Sequence, residues 1–125
     1  MNAKRTDLGR VQEIHNIIKQ TQRQIASTGL TQESFINPPD DTYDLVAEGV
    51  MNRVFRVAEE AGRISNEVAD AYDFDSVGAR GVRNRLAHAY GDVDREIIWQ
   101  VIDSDFDVLL AACQKYCEDV GVDLE

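Results

Sequence analysis

Residues 42–71 read TYDLVAEGVMNRVFRVAEEAGRISNEVADA, and the spacing of their apolar side chains decides the fold class. Leu45, Val46, Val50, Met51, Val54, Phe55, Ala58, Ala61, Ile64 and Val68, with Tyr72 next in the series, fall on one face of a 3.6-residue period. The pattern predicts one long helix over about 42–71. Gly49 and Gly62 lie inside it. Each costs about 1 kcal/mol relative to alanine, and each leaves room for a neighbouring helix to approach.

On the N-terminal side, Asn37-Pro38-Pro39-Asp40-Asp41 is the clearest break in the chain, because two prolines exclude a continuing helix. Before it, Thr31 to Ile36 suits a single helical turn. Leu8, Val11, Ile14, Ile18 and Ile25, widened by Ile17, mark a first helix over about 6–27. Thr6 or Asp7 starts it and Ser27-Thr28-Gly29 ends it. On the C-terminal side, Asp73-Phe74-Asp75-Ser76 is a loop with Ser76 as a helix cap. A third helix is expected over about 77–90, stopped by Gly91. Asp94 caps a fourth, carrying Ile97, Ile98, Val101 and Ile102. Asp103 to Asp107 is predicted as a break, after which Leu109, Leu110, Cys113, Tyr116 and Val120 form a last stripe ended by Gly121. No strand-like alternation competes. The expectation is an all-α bundle of four to five mostly antiparallel helices, one domain over residues 1–125.

Composition narrows the function. Apolar residues make up 43% of the chain, enough for a packed core and against wholesale disorder. No apolar run approaches the ~20 residues of a membrane span, and no signal peptide stands at the N-terminus. A cytoplasmic, non-membrane protein is expected. The net charge of −10 argues against a nonspecific binder of duplex nucleic acid. The acidity is mostly C-terminal, and residues 76–91 carry three arginines and no acid. A local positive patch therefore survives. Cys113 and Cys117, without a histidine nearby, do not make a zinc site and are expected as reduced, partly core-facing thiols. No metal and no cofactor is expected, since no carboxylate group stands at metal-ligand spacing from a histidine and no phosphate-cradling glycine loop is present.

Two histidines exist. His15 sits at a polar-to-boundary position of the first helix and is expected near the surface. His88 stands in Arg83-Asn84-Arg85-Leu86-Ala87-His88-Ala89-Tyr90, with Arg80 upstream. Arg80, Asn84 and His88 share a helix face. Arg83 and His88, five positions apart, point about 140° away from each other on an ideal helix. Either the helix end loosens near His88 or a second copy of the chain completes the site. Such residues suit metal-free RNA cleavage. RNA carries its own 2′-OH nucleophile, an imidazole exchanges a proton at neutral pH, and a guanidinium holds the charge that builds on phosphorus. In a two-fold dimer two His88 side chains share the acid and base duties. An arginine-rich helix end with one histidine is also common on solvated surfaces, so spacing alone leaves catalysis open.

Arg83-Asn84, three further residues and His88-Ala89-Tyr90 resemble the Arg-x4-His-x-Tyr motif of HepT-like proteins of the HEPN superfamily. Residues 53–65 are similar to that family's long middle helix, and Val93-Asp94-Arg95-Glu96-Ile97-Ile98-Trp99 resembles the segment after its motif. Gly91-Asp92 departs from the pattern, since an aromatic residue often follows the motif tyrosine. The resemblance implies a helical HEPN bundle, homodimeric, with its cleft at the subunit interface. It implies a toxin that is a metal-independent endoribonuclease acting on RNA, often tRNA. Arg83 and His88 would carry catalysis, Asn84 would orient them, and Arg80 and Arg85 would bind RNA. The implied partner is a nucleotidyltransferase antitoxin of the MntA type, with Tyr90 as acceptor of AMP. The alternative from another class is a noncatalytic helical binding module, an accessory subunit of a nucleotidyltransferase.

Overall fold

The computed structural model describes residues 6–74 and 94–124. These residues form three long helical rods and two short helices, with no strand among them. Helix α1 spans Asp7–Thr28, α2 Gln32–Ile36, α3 Asp41–Gly62 and α4 Asn66–Tyr72; α5, Arg95–Gln100, runs through a π-helical turn, Val101–Asp105, into α6, Phe106–Val120.

The caps follow from residue chemistry. Thr6 accepts the Gly9 N–H at 3.1 Å, satisfying one of the orphan donors at the start of α1. Gly29 closes α1 at φ +74°, a left-handed conformation that glycine adopts without a Cβ penalty. Thr31 and Ser34 form a capping box that holds the single turn of α2. Asp40 caps α3 and Asp94 caps α5, and Gly121 ends α6 at φ +77°.

Helix α1 is the centre of the bundle and packs against both α3 and α6. Its side-chain contacts run in reverse order along each neighbour, so both pairings are antiparallel. Arg10 meets Glu60, Glu13 meets Arg56, and the Tyr43 hydroxyl donates to the Thr28 carbonyl at 3.3 Å. Towards α6, the Cys113 thiol lies 3.6 Å from the Val11 carbonyl and Gln22 reaches Asp107. Val11, Ile14, Ile18, Phe35, Phe106, Leu109 and Cys113 are fully buried between these elements. Burying each large apolar side chain stabilises the fold by about 1.5–3 kcal/mol. No helix of the described residues is long and apolar enough to cross a membrane.

Three sequence expectations change. The helix expected over 42–71 is two helices. It ends at Gly62, and Arg63 and Ile64 close a tightened turn by donating to Glu60 and Ala61. Ser65 then caps α4 by accepting from Val68. Ser65 is itself held by Asp7, which accepts its backbone N–H at 3.0 Å and its hydroxyl at 2.7 Å. Ile64 and Val68 keep the apolar spacing across this corner, so periodicity alone sees one helix. The second change concerns 103–107, where no break occurs. Asp105 makes no capping bond, and the chain widens into the π-helical turn and continues. That wider turn keeps Val101 and Ile102 in the same core as Phe106 and Leu109. Third, His15 is buried, at 8% exposure, with Nδ1 3.4 Å from Asn16 Oδ1.

Candidate functional site

The residues singled out from sequence, Arg80, Arg83, Asn84, Arg85, His88 and Tyr90, fall within 75–93 and lie outside the described residues, as do the helix expected over 77–90, its Ser76 cap and its Gly91 stop. The structure places the two points at which the chain enters and leaves this segment.

The entry is built by α4. Tyr72 ends the helix, and Asp73 adopts φ +65°, an uncommon left-handed conformation for a residue other than glycine. The turn brings the Phe74 N–H to the Ala69 carbonyl at 3.0 Å and drives Phe74 into the core, fully buried. Beside it, Tyr72 donates to Asp119 at 2.7 Å and meets Tyr116 edge to face at 5.3 Å, which pins α4 to α6. The hydrogen bond to Asp119 raises the Tyr72 phenol above its ordinary range and lowers the Asp119 carboxyl.

The exit is built by Asp94 and Arg95. The Asp94 carboxylate accepts the Glu96 N–H at 2.9 Å and starts α5. Arg95 donates through one guanidinium nitrogen to the Phe35 carbonyl at 2.8 Å. Through the other it meets Asp44 at 3.1 Å and Glu48 at 3.4 Å. Its guanidinium carbon lies 5.8 Å from the centre of the Phe35 ring, and that ring packs on Trp99 at 5.3 Å. The Phe35 carbonyl belongs to the last turn of α2, where carbonyls lack helical partners and where α2 supplies no basic residue of its own. A charge-assisted bond there contributes about 1.5–3 kcal/mol. The two carboxylates are more than half exposed, so their ion pairs add little beyond orientation. Sequence reasoning did not single out Arg95 as a junction, because its partners lie in two other helices far along the chain.

The remaining chemistry-bearing groups do not build a second catalytic site. Among the described residues, the His15 ring has one side-chain hydrogen-bond partner, Asn16 Oδ1 at 3.4 Å, and no carboxylate. Cys113 and Cys117 are free and buried, as expected. Burial, and then the neighbouring Cys117, pushes the Cys113 thiol up to about 12, so no reactive thiolate forms at neutral pH. No group of three His, Cys, Asp or Glu side chains among the described residues is placed to hold a metal ion. A groove of about 370 Å³ opens between α1 and α3, lined by Thr21, Gln24, Thr28, Val46, Gly49 and Arg53. The Thr21 and Thr28 hydroxyls there already donate to the Ile17 and Gln24 carbonyls.

Comparison with known proteins identifies one family. A family model described as Ribonuclease HepT-like matches residues 11–116, which takes in most of the bundle and the whole 83–90 motif. No curated protein and no solved structure matches the chain.

Proposed function

Because the chain belongs to the HepT-like ribonuclease family, we propose that it is the toxin of a toxin–antitoxin pair and cleaves RNA without a metal ion. The observation that carries this reading is the family match over 11–116, within which Arg83, Asn84, His88 and Tyr90 stand at the motif spacing.

The residues suit a phosphoryl transfer within the substrate. His88 takes the proton of the ribose 2′-OH as its oxygen attacks the adjacent phosphorus. The 5′-oxygen leaves and takes a proton from a second acid, His88 of the partner subunit in a two-fold dimer. Arg83 holds the charge that accumulates on the phosphoryl oxygens, and Asn84 orients the pair. Arg80 and Arg85 bind flanking phosphates. The products are a 2′,3′-cyclic phosphate and a 5′-hydroxyl. Incubating the purified protein with total RNA in EDTA tests this. Cleavage with cyclic phosphate ends is the expected outcome, and the absence of cleavage, or its dependence on added metal, overturns the reading.

Neutralisation follows from Tyr90. A nucleotidyltransferase antitoxin of the MntA type that adds AMP to the phenol places a bulky anion two residues from His88, where it repels the RNA backbone. The Tyr90→Phe chain is expected to stay toxic when co-expressed with that enzyme, whereas the wild type is silenced and gains the mass of AMP. A silenced, unmodified Tyr90→Phe chain removes Tyr90 from the scheme.

A further inference from the structure

We propose that the acid-free face shared by α1 and α3 is an accessory RNA-binding surface, on which Lys19, Arg23 and Arg53 hold backbone phosphates of a single-stranded RNA. The choice of RNA as the polyanion rests on the ribonuclease reading; the surface itself rests on charge and geometry.

The chain carries 23 acidic residues, yet none stands between Glu13 and Glu33 or between Glu48 and Glu59. Those two stretches hold Lys19, Arg23, Arg53 and Arg56. The antiparallel pairing of α1 and α3 lays them side by side, because Glu13 meets Arg56 and the Tyr43 hydroxyl reaches the Thr28 carbonyl. The result is a basic face on a protein of net charge −10. Steps of three and four residues put Asn16, Gln20, Arg23 and Ser27 on one exposed stripe of α1, with Lys19 one turn before Arg23. Gly49, Arg53 and Arg56 share a face of α3 by the same spacing.

The register explains why Arg53 is available. Further along the same interface each arginine finds a glutamate across it, Arg56 with Glu13 and Arg10 with Glu60. Around Arg53 stand Thr21 and Gln24 instead, on the far wall of the 370 Å³ groove. Among the described residues, Lys19, Arg23 and Arg53 take part in none of the ion pairs that occupy Arg10, Arg56, Arg63, Arg95 and Lys115. Gly49 keeps the groove open. A Cβ there would meet nothing within 4 Å, so packing does not require glycine, and glycine weakens a helix interior. Val46 and Val50 supply apolar wall beside the Arg53 guanidinium. That combination suits a sugar–phosphate backbone, the guanidinium taking the phosphate and the apolar wall the ribose. Cations repeated at one-turn steps match a polymer of regularly repeated charge better than an isolated carboxylate.

Binding is read by fluorescence anisotropy with a short single-stranded 2′-O-methyl oligoribonucleotide, which lacks the 2′-OH that the proposed cleavage consumes. The double variant Lys19→Gln with Arg23→Gln is compared with Arg63→Gln with Lys115→Gln. The second has the same net charge, and its side chains are exposed, already paired and outside the face. The first is expected to weaken binding by about 25-fold at ~0.1 M salt, about fivefold for each phosphate contact, and to lower the slope of log K against log salt by about 1.4. The second is expected to stay within about twofold of the wild type. Gly49→Glu leaves every native cation in place and puts a carboxylate one turn before Arg53, a spacing that favours the helix. It is expected to bind about fivefold more weakly with an unchanged or raised melting temperature. Equal losses in the two double variants overturn the proposal, because net charge alone is then at work. A Gly49→Glu protein that binds as the wild type does removes the groove and Arg53 from the surface. A wild type that binds no RNA but self-associates, with the association lost on replacing Lys19 and Arg23, assigns the face to protein contact and overturns the proposal too. A wild type that binds the probe through this face yet cleaves no unmodified RNA fails the ribonuclease reading and leaves the surface standing.

Discussion

His88→Ala is expected to lower RNA cleavage by about 100- to 10,000-fold, the contribution of a positioned acid–base group, while the helical signal and the melting transition stay those of the wild type. The described residues of α1, α3, α5 and α6 form a continuous core of their own, and the melt of the variant checks that the fold is kept. Arg83→Ala should cost about 100- to 1,000-fold, the usual loss when a donor to a developing oxyanion is removed. The double variant should fall little below the worse single one, because groups acting on the same transition state are not additive. Mixed dimers carry a further test. Because the proposed cleavage uses His88 of both subunits, a dimer of one wild-type and one His88→Ala subunit should be nearly as inactive as the His88→Ala homodimer, and half of the wild-type rate would overturn the shared acid–base scheme. The result that sinks the catalytic assignment is a His88→Ala protein that cleaves RNA at the wild-type rate.

The bundle was legible wherever a helix end is decided by its own neighbours. Thr6, Gly29, Pro38-Pro39, Asp94 and Gly121 act through local backbone chemistry, and each stands at the boundary its residue type implies. What was not legible depends on distant residues. The corner at 63–65 is fixed by Asp7, and an apolar stripe that continues through Ile64 and Val68 conceals it. The Asp103 to Asp107 run has the composition of a cap and a break. The core demand of Val101, Ile102 and Phe106 keeps it helical, with the register absorbed in a π turn. His15 stands between Ile14 and Asn16 at the edge of the apolar stripe, one turn from Val11 and Ile18, and the fold covers it. The candidate site was legible as residue types at a family spacing, and not as a geometry. Arg83 and His88 point apart on an ideal helix, so no reading of one chain's periodicity brings them to one phosphate. That step needs the helix end to loosen or a second subunit to contribute.

Phe35→Ala carries the largest expected loss of stability, about 3–5 kcal/mol, or roughly 10–20 °C in the melting temperature. Phe35 is fully buried although it sits on a helix of only five residues. A helix that short has no independent stability, because nucleation costs more than one turn of hydrogen bonds returns. Its place on the bundle therefore depends on the Phe35 ring packing on Trp99 and on the Phe35 carbonyl receiving Arg95. Removing the ring leaves a cavity beneath Trp99 and loosens the turn of α2 whose carbonyl accepts from Arg95. The two losses are coupled. Arg95→Ala should cost clearly less stability in the Phe35→Ala background than in the wild type, since the carbonyl it would have released is already displaced. Phe35→Leu, which keeps most of the apolar volume, should cost much less than alanine. Denaturant melts of the four proteins of this cycle, with Phe35→Leu as a fifth, measure all of this. Additive losses for Phe35 and Arg95 would show that α2 docking and the Arg95 contacts to α3 act independently.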